Sequence, residues 1–68
     1  MSTTPARTLI VMPALNEEES VASVIEEVLR ELPGVHCLVV DDGSEDATGV
    51  VAENAGATVI RLPFNLGV

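Results

Sequence analysis

Aromatic residues are nearly missing from this 68-residue chain: Phe64 stands alone, with no tryptophan and no tyrosine. A core must therefore be built from Val, Leu, Ile, Ala and Met, a palette that suits buried parallel strands. Lysine is absent, and eleven acidic residues face three arginines for a formal charge of −8. That sign excludes a protein that neutralises nucleic-acid phosphates. It also requires that any phosphorylated ligand be met through a bridging divalent cation or through basic residues outside this chain. The single cysteine, Cys37, has no partner for an intramolecular disulfide; within an apolar run it reads as a small buried hydrophobe, in keeping with a reducing compartment. Long hydrophobic runs are lacking too. The first, Leu9 to Met12, is too short for a signal-peptide core or a membrane span, so the chain is read as cytoplasmic.

Three short runs rich in Val, Ile and Leu, at 8–12, 37–40 and 58–62, are bounded by Pro, Gly, Asn or Asp and read as strands. Between the first two, Val21, Val24, Ile25, Val28, Leu29 and Leu32 recur with the spacing of an amphipathic helix. Asn16 is placed to cap that helix, with Glu19 completing a capping box and Glu17 and Glu18 favouring the positive end of its dipole; Pro33 and Gly34 end it. A shorter helix is expected from Asp46 or Ala47 to about Ala55, with Gly56 beyond it. The order is βαβαβ. Right-handed crossovers then give a parallel sheet with strand order 3-2-1, an α/β architecture. No linker divides residues 1–68, and no helix follows the third strand to cover a hydrophobic sheet. The chain reads as one truncated domain.

In an open parallel sheet, ligands bind beyond the carboxyl ends of the strands. Three loops lie there: Pro13-Ala14-Leu15-Asn16-Glu17, Asp41-Asp42-Gly43-Ser44 and Pro63-Phe64-Asn65-Leu66-Gly67. Strands spaced by about 4.8 Å would set the first two loops face to face, wide enough for a flat heterocycle. Pro13 is expected to end its strand and leave backbone carbonyls free for a ligand. Asp42 offers an acceptor for the imide N–H of uracil or the Watson–Crick edge of guanine, and Glu17 an acceptor for ribose hydroxyls or the base. Plainer readings stand beside these. Asn16 to Glu19 can serve only as cap and dipole partners, Asp41 to Ser44 only as strand stop and Asx turn, and Asn65 and Gly67 only as a turn. His36, at the amino end of the second strand, is read as structural.

Spacing removes several acidic motifs. Asp41 and Asp42 are adjacent, not two apart as a phosphatase of the haloacid dehalogenase type requires. Counting from Asp41, the twelfth position holds Ala52 where a calcium-binding EF-hand needs glutamate. A receiver domain carries its acidic pair after the first strand, and here the pair follows the second. Gly-rich dinucleotide and P-loop signatures are absent after the first strand.

VMPALNEEESVASVIEEV, followed by LVVDDGSEDATGVV and then RLPFNLGV, resembles the N-terminus of family 2 glycosyltransferases of the GT-A fold, especially the dolichyl- and polyprenyl-phosphate sugar transferases. The resemblance spans nearly the whole chain. It implies the nucleotide-binding half of an enzyme that transfers a sugar, with inversion, from a UDP- or GDP-sugar to an acceptor such as a polyprenyl phosphate. By resemblance, Pro13, Ala14, Leu15 and Glu17 hold base and ribose together with Asp42, while Val40 and Asp41 line the site. Asn65 and Gly67 look like the start of an Asn-x-Gly motif that approaches the donor.

Leu15 stands where the family often has tyrosine, which replaces ring stacking with apolar contact. The family's metal-binding Asp-x-Asp and catalytic base lie beyond residue 68, so Mg²⁺ or Mn²⁺ would be bound outside this chain and the segment alone should be inactive. Membrane association through later polypeptide, and oligomerisation, remain open to the parent protein. Two rival readings are a nucleotidyltransferase, which wants a basic Gly-rich loop after the first strand, and a non-enzymatic interaction module, which predicts no nucleotide binding.

Overall fold

The computed structural model describes residues 8–63, ordered as β1 (Leu9–Ala14), α1 (Val21–Glu31), β2 (His36–Asp41), α2 (Thr48–Asn54) and β3 (Thr58–Arg61). All strand pairing is parallel and β2 is central, which is the expected order read from the other edge. The register places Met12 beside Val39 and Val39 beside Val59, so one residue of each strand meets in a single row.

Alternation along the strands divides the sheet into two unlike faces. Ile10, Met12, Ala14, Cys37, Val39 and Val59 lie on the face packed by the helices, which contribute Val21, Ile25 and Ala52 to the core. Ile25 and Val39 are fully buried at its centre. Leu9, Val11, Pro13, Leu38, Val40 and Ile60 occupy the opposite face, and Leu9, Val11 and Ile60 are about half exposed there. No described element covers that face.

Two local expectations are corrected. β1 does not stop at Pro13 but runs through it to Ala14. The backbone N–H groups of His36 and Asp42 donate to the carbonyls of Thr8 and Ala14, so even-numbered carbonyls of β1 face β2 and the nitrogen of Pro13 points to the free edge. Proline costs no ladder bond there. Nor does Asn16 cap α1, which begins at Val21 after a turn in which the N–H groups of Ser20 and Val21 both donate to the Glu17 carbonyl. The first turn of the helix holds no acid. Asn16 instead adopts φ 52°, a left-handed conformation that asparagine tolerates better than most residues.

The other punctuation falls as expected. α1 ends before Pro33 and Gly34, the latter at φ 92°, and Gly56 at φ 112° follows α2. Gly49 matters through proximity: a Cβ there would lie 2.7 Å from Arg61 Nε and 3.0 Å from Asp41 Oδ2. The small residue lets α2 sit close to the ends of β2 and β3.

Because so few side chains form the core, each should weigh heavily. Ile25→Ala is expected to cost about 2–5 kcal/mol and Ile25→Val about 0.5–1.5 kcal/mol in urea unfolding. Equal and small effects of both would contradict the burial assigned to Ile25.

Candidate functional site

The carboxyl ends of β1 and β2 lie side by side, Ala14 opposite Asp41, and the next ladder bond runs from the Asp42 N–H to the Ala14 carbonyl at 2.9 Å. That bond fixes the first residue after β2 against the last residue of β1. Around it opens a cleft of about 250 Å³ lined by Pro13, Ala14, Leu15, Glu17, Val40 and Asp42. Six of the residues singled out in the sequence thus share one concavity, with apolar walls from Pro13, Leu15 and Val40 and carboxylates at Glu17 and Asp42. The Ala14 carbonyl is not free for a ligand, since Asp42 holds it.

Asp41 is placed differently. Successive residues at a strand end point to opposite sides, and Asp41 is buried on the helix-covered side, where its Oδ1 accepts from the N–H of Ser44, three residues on, at 3.0 Å. It lines a separate cleft of about 390 Å³ with Gly43, Ser44, Glu45, Arg61, Leu62 and Pro63. The adjacent aspartates therefore serve different spaces. Asn65 and Gly67 lie outside the described residues.

The loops after β1 and β2 are bound by reciprocal hydrogen bonds. The N–H groups of Asn16, Glu17 and Glu18 donate to Ser44 Oγ at 2.8 Å, Thr48 Oγ1 at 2.7 Å and Asp46 Oδ2 at 3.3 Å. In return, Glu45 N–H donates to Asn16 Oδ1 at 2.8 Å and Ala47 N–H to Glu18 Oε1 at 2.9 Å. Asn16 and Glu18 thus act across the fold, not along their own helix. Thr48 was no candidate from spacing, although a hydroxyl among the apolar residues of α2 was the available signal.

Hydrogen bonds also set the charge state of Asp46. The Thr48 hydroxyl first, then the N–H groups of Thr48 and Glu18, hold its carboxyl below the usual aspartate range against an opposing effect of desolvation. Among the described residues no group of three or more His, Cys, Asp or Glu side chains is arranged to hold a metal ion. Nor is any described helix long and apolar enough to cross a membrane.

A parallel α/β unit with a partly apolar, partly acidic cleft beyond its strand ends has the form in which open α/β sheets bind their ligands. Comparison with known proteins narrows this: residues 9–68 match the model of glycosyl transferase family 2, and the chain belongs to that family. It is 47% identical over 47 residues to polyprenol monophosphomannose synthase of Mycolicibacterium smegmatis, covering 69% of this chain and 18% of that protein. Glucosyl-3-phosphoglycerate synthase of the same organism is 47% identical over 53 residues, 75% of this chain and 18% of that protein. Protein RfbJ of Shigella flexneri is 39% identical over 55 residues, which is 81% of this chain and 43% of that protein. The chain therefore matches less than half the length of each. The crystal structure of Mycobacterium tuberculosis glucosyl-3-phosphoglycerate synthase bound to phosphoglyceric acid superposes with a TM-score of 0.70 at 40% identity, covering 81% of this chain and 21% of that one. The architecture is that of the GT-A fold.

The depression of the Asp46 pKa has a definite sign. A carboxylate whose folded pKa is depressed contributes its stabilisation above the ordinary aspartate value of about 3.9, and that contribution is lost as pH falls through the lower folded value. The amide chemical shifts of Glu18 and Thr48 should titrate together with a midpoint below the ordinary value, and Asp46→Asn should abolish the transition. A midpoint at or above the ordinary value would refute the bonding described.

Proposed function

We propose that residues 1–68 form the donor nucleotide-binding part of an inverting glycosyltransferase that uses a UDP- or GDP-sugar. The observation that carries this reading is the single cleft uniting Pro13, Ala14, Leu15, Glu17, Val40 and Asp42 at the strand ends. Pro13, Leu15 and Val40 offer apolar surface to the faces of a base. Asp42 accepts from the base N–H groups, and Glu17 from ribose hydroxyls.

The relatives support assigning this segment to the nucleotide. Polyprenol monophosphomannose synthase and glucosyl-3-phosphoglycerate synthase carry two sugars and two acceptors in their names, yet both are 47% identical to this chain over the matched region. A segment alike in both suits what such enzymes would have in common, the nucleotide carrier, better than what distinguishes them. The acceptor and the attacking-group chemistry then belong to the remainder of the protein. Mg²⁺ or Mn²⁺ would neutralise the donor diphosphate, bound by residues outside these 68. Among the described residues, the acids do not form a metal-binding cluster.

In this arrangement the described residues contribute binding and orientation. Contacts to the base, remote from the reacting carbon, hold the donor so that its anomeric carbon meets the acceptor in line. Asp42 is almost fully buried, so its hydrogen bonds to a base would form with little competition from water.

Calorimetric titration of the full-length protein with UDP, GDP, ADP and CDP tests the reading. Binding of UDP or GDP is expected, and both Asp42→Ala and Asp42→Asn should weaken it by about 1.5–3 kcal/mol through loss of a charge-assisted hydrogen bond. Absence of binding to all four, or unaltered affinity in both variants, would overturn it.

A further inference from the structure

We propose that Thr48, Asp46 and Ser44 are positioning residues, which hold the backbone of residues 16–18 so that Glu17 stands at a fixed place opposite Asp42 across the donor cleft. The inference rests on the donor-site reading and extends it to three residues that do not line that cleft. Alternate side chains from the loop after β2 into the first residue of α2 each take an N–H of the loop after β1: Ser44 from Asn16, Asp46 from Glu18 and Thr48 from Glu17. These partners lie 28 to 31 residues apart in sequence. The Asn16 and Glu18 side chains return bonds to the N–H groups of Glu45 and Ala47. Of residues 16–18, only Glu17 lines the donor cleft.

Thr48 is the centre of this clamp. Its side chain is fully buried, and its hydroxyl donates to Asp46 Oδ1 while accepting from the Glu17 N–H. A hydroxyl has one proton, so the carboxylate that takes it leaves an oxygen lone pair for the backbone donor. Asp46 also accepts from the Thr48 N–H at 2.9 Å, which fixes the start of α2 to the same atom. Replacing the hydroxyl with a methyl of similar size would leave the Glu17 N–H without this acceptor and let the loop move to find another. The cleft residue most affected would be Glu17.

The test is a double-mutant cycle on nucleotide affinity in the full-length protein, read by calorimetry with UDP and GDP. Thr48→Val should weaken binding about two- to twelvefold, the range expected from loss of one hydrogen bond. Thr48→Ser, which keeps the hydroxyl, should restore wild-type affinity. In a Glu17→Ala background, Thr48→Val should have little further effect, because its action passes through Glu17. Asp46→Ala, at a half-buried position away from the core, should show the same dependence on Glu17 and serves even if Thr48→Val does not fold. Unchanged affinity in Thr48→Val or Asp46→Ala, or equal losses with and without the Glu17 side chain, would overturn the positioning role alone. Failure of the wild-type protein to bind either nucleotide would overturn the donor site and this inference with it.

Discussion

The hydroxyl of Thr48 serves two neighbours from a position with no access to water, and the arrangement of the strand-end loops follows from that constraint. A buried hydroxyl left unbonded would be costly, so its donor and acceptor capacities must both be used. The hydroxyl donates to Asp46 Oδ1 and accepts from the Glu17 N–H. Two loops that belong to different βα units are thereby joined at one atom. The sheet brings the loops near each other through the pairing of Ala14 with Asp41, but register alone would leave their tips free to vary. The hydroxyl and its flanking bonds supply what the ladder does not.

This constraint explains why a sequence pattern that looks like a helix cap is used otherwise. Asn16 with Glu19 three residues on has the form of a capping box, and local reasoning assigns it to α1. In the fold, Asn16 Oδ1 accepts from Glu45, and the left-handed backbone at Asn16 turns the chain toward that partner. A contact across 29 residues outcompetes one across three. Spacing rules see only the local option, which is why the element was legible and its first turn was not. The same limit applies to Pro13, whose effect depends on whether its nitrogen faces a neighbouring strand, a fact of topology invisible in a dipeptide.

What was legible rests on composition and period. Val, Ile and Leu in three short runs specified parallel strands, and the 3.6-residue recurrence from Val21 to Leu32 specified the face of α1 that buries Ile25. Leu29 also packs against the core, whereas Val24, in the same apolar series, remains nearly half exposed. Apolar period thus overstated the buried stripe. Among candidate site residues, the loops after β1 and β2 meet as the strand order predicts, and six residues line one cleft; of the third loop only Pro63 is among the described residues. Asp41 shows the limit of reading by adjacency: neighbours in a strand are the two residues least able to share a wall.

Asp41 and Asp42 therefore divide the labour of the strand end. Burying two adjacent carboxylates on one side would set like charges together in a poorly solvated space. Strand alternation avoids this by sending Asp41 toward the helices, where it accepts from Ser44 N–H and helps build the turn that presents Ser44 Oγ to Asn16. Asp42, one residue later, is left on the side of Pro13, Leu15 and Val40. The first acid shapes the loop that clamps residues 16–18, and the second stands in the cleft whose far wall that clamp positions. A change at Asp41 would reach the cleft through Ser44 and Asn16, whereas a change at Asp42 would act within it.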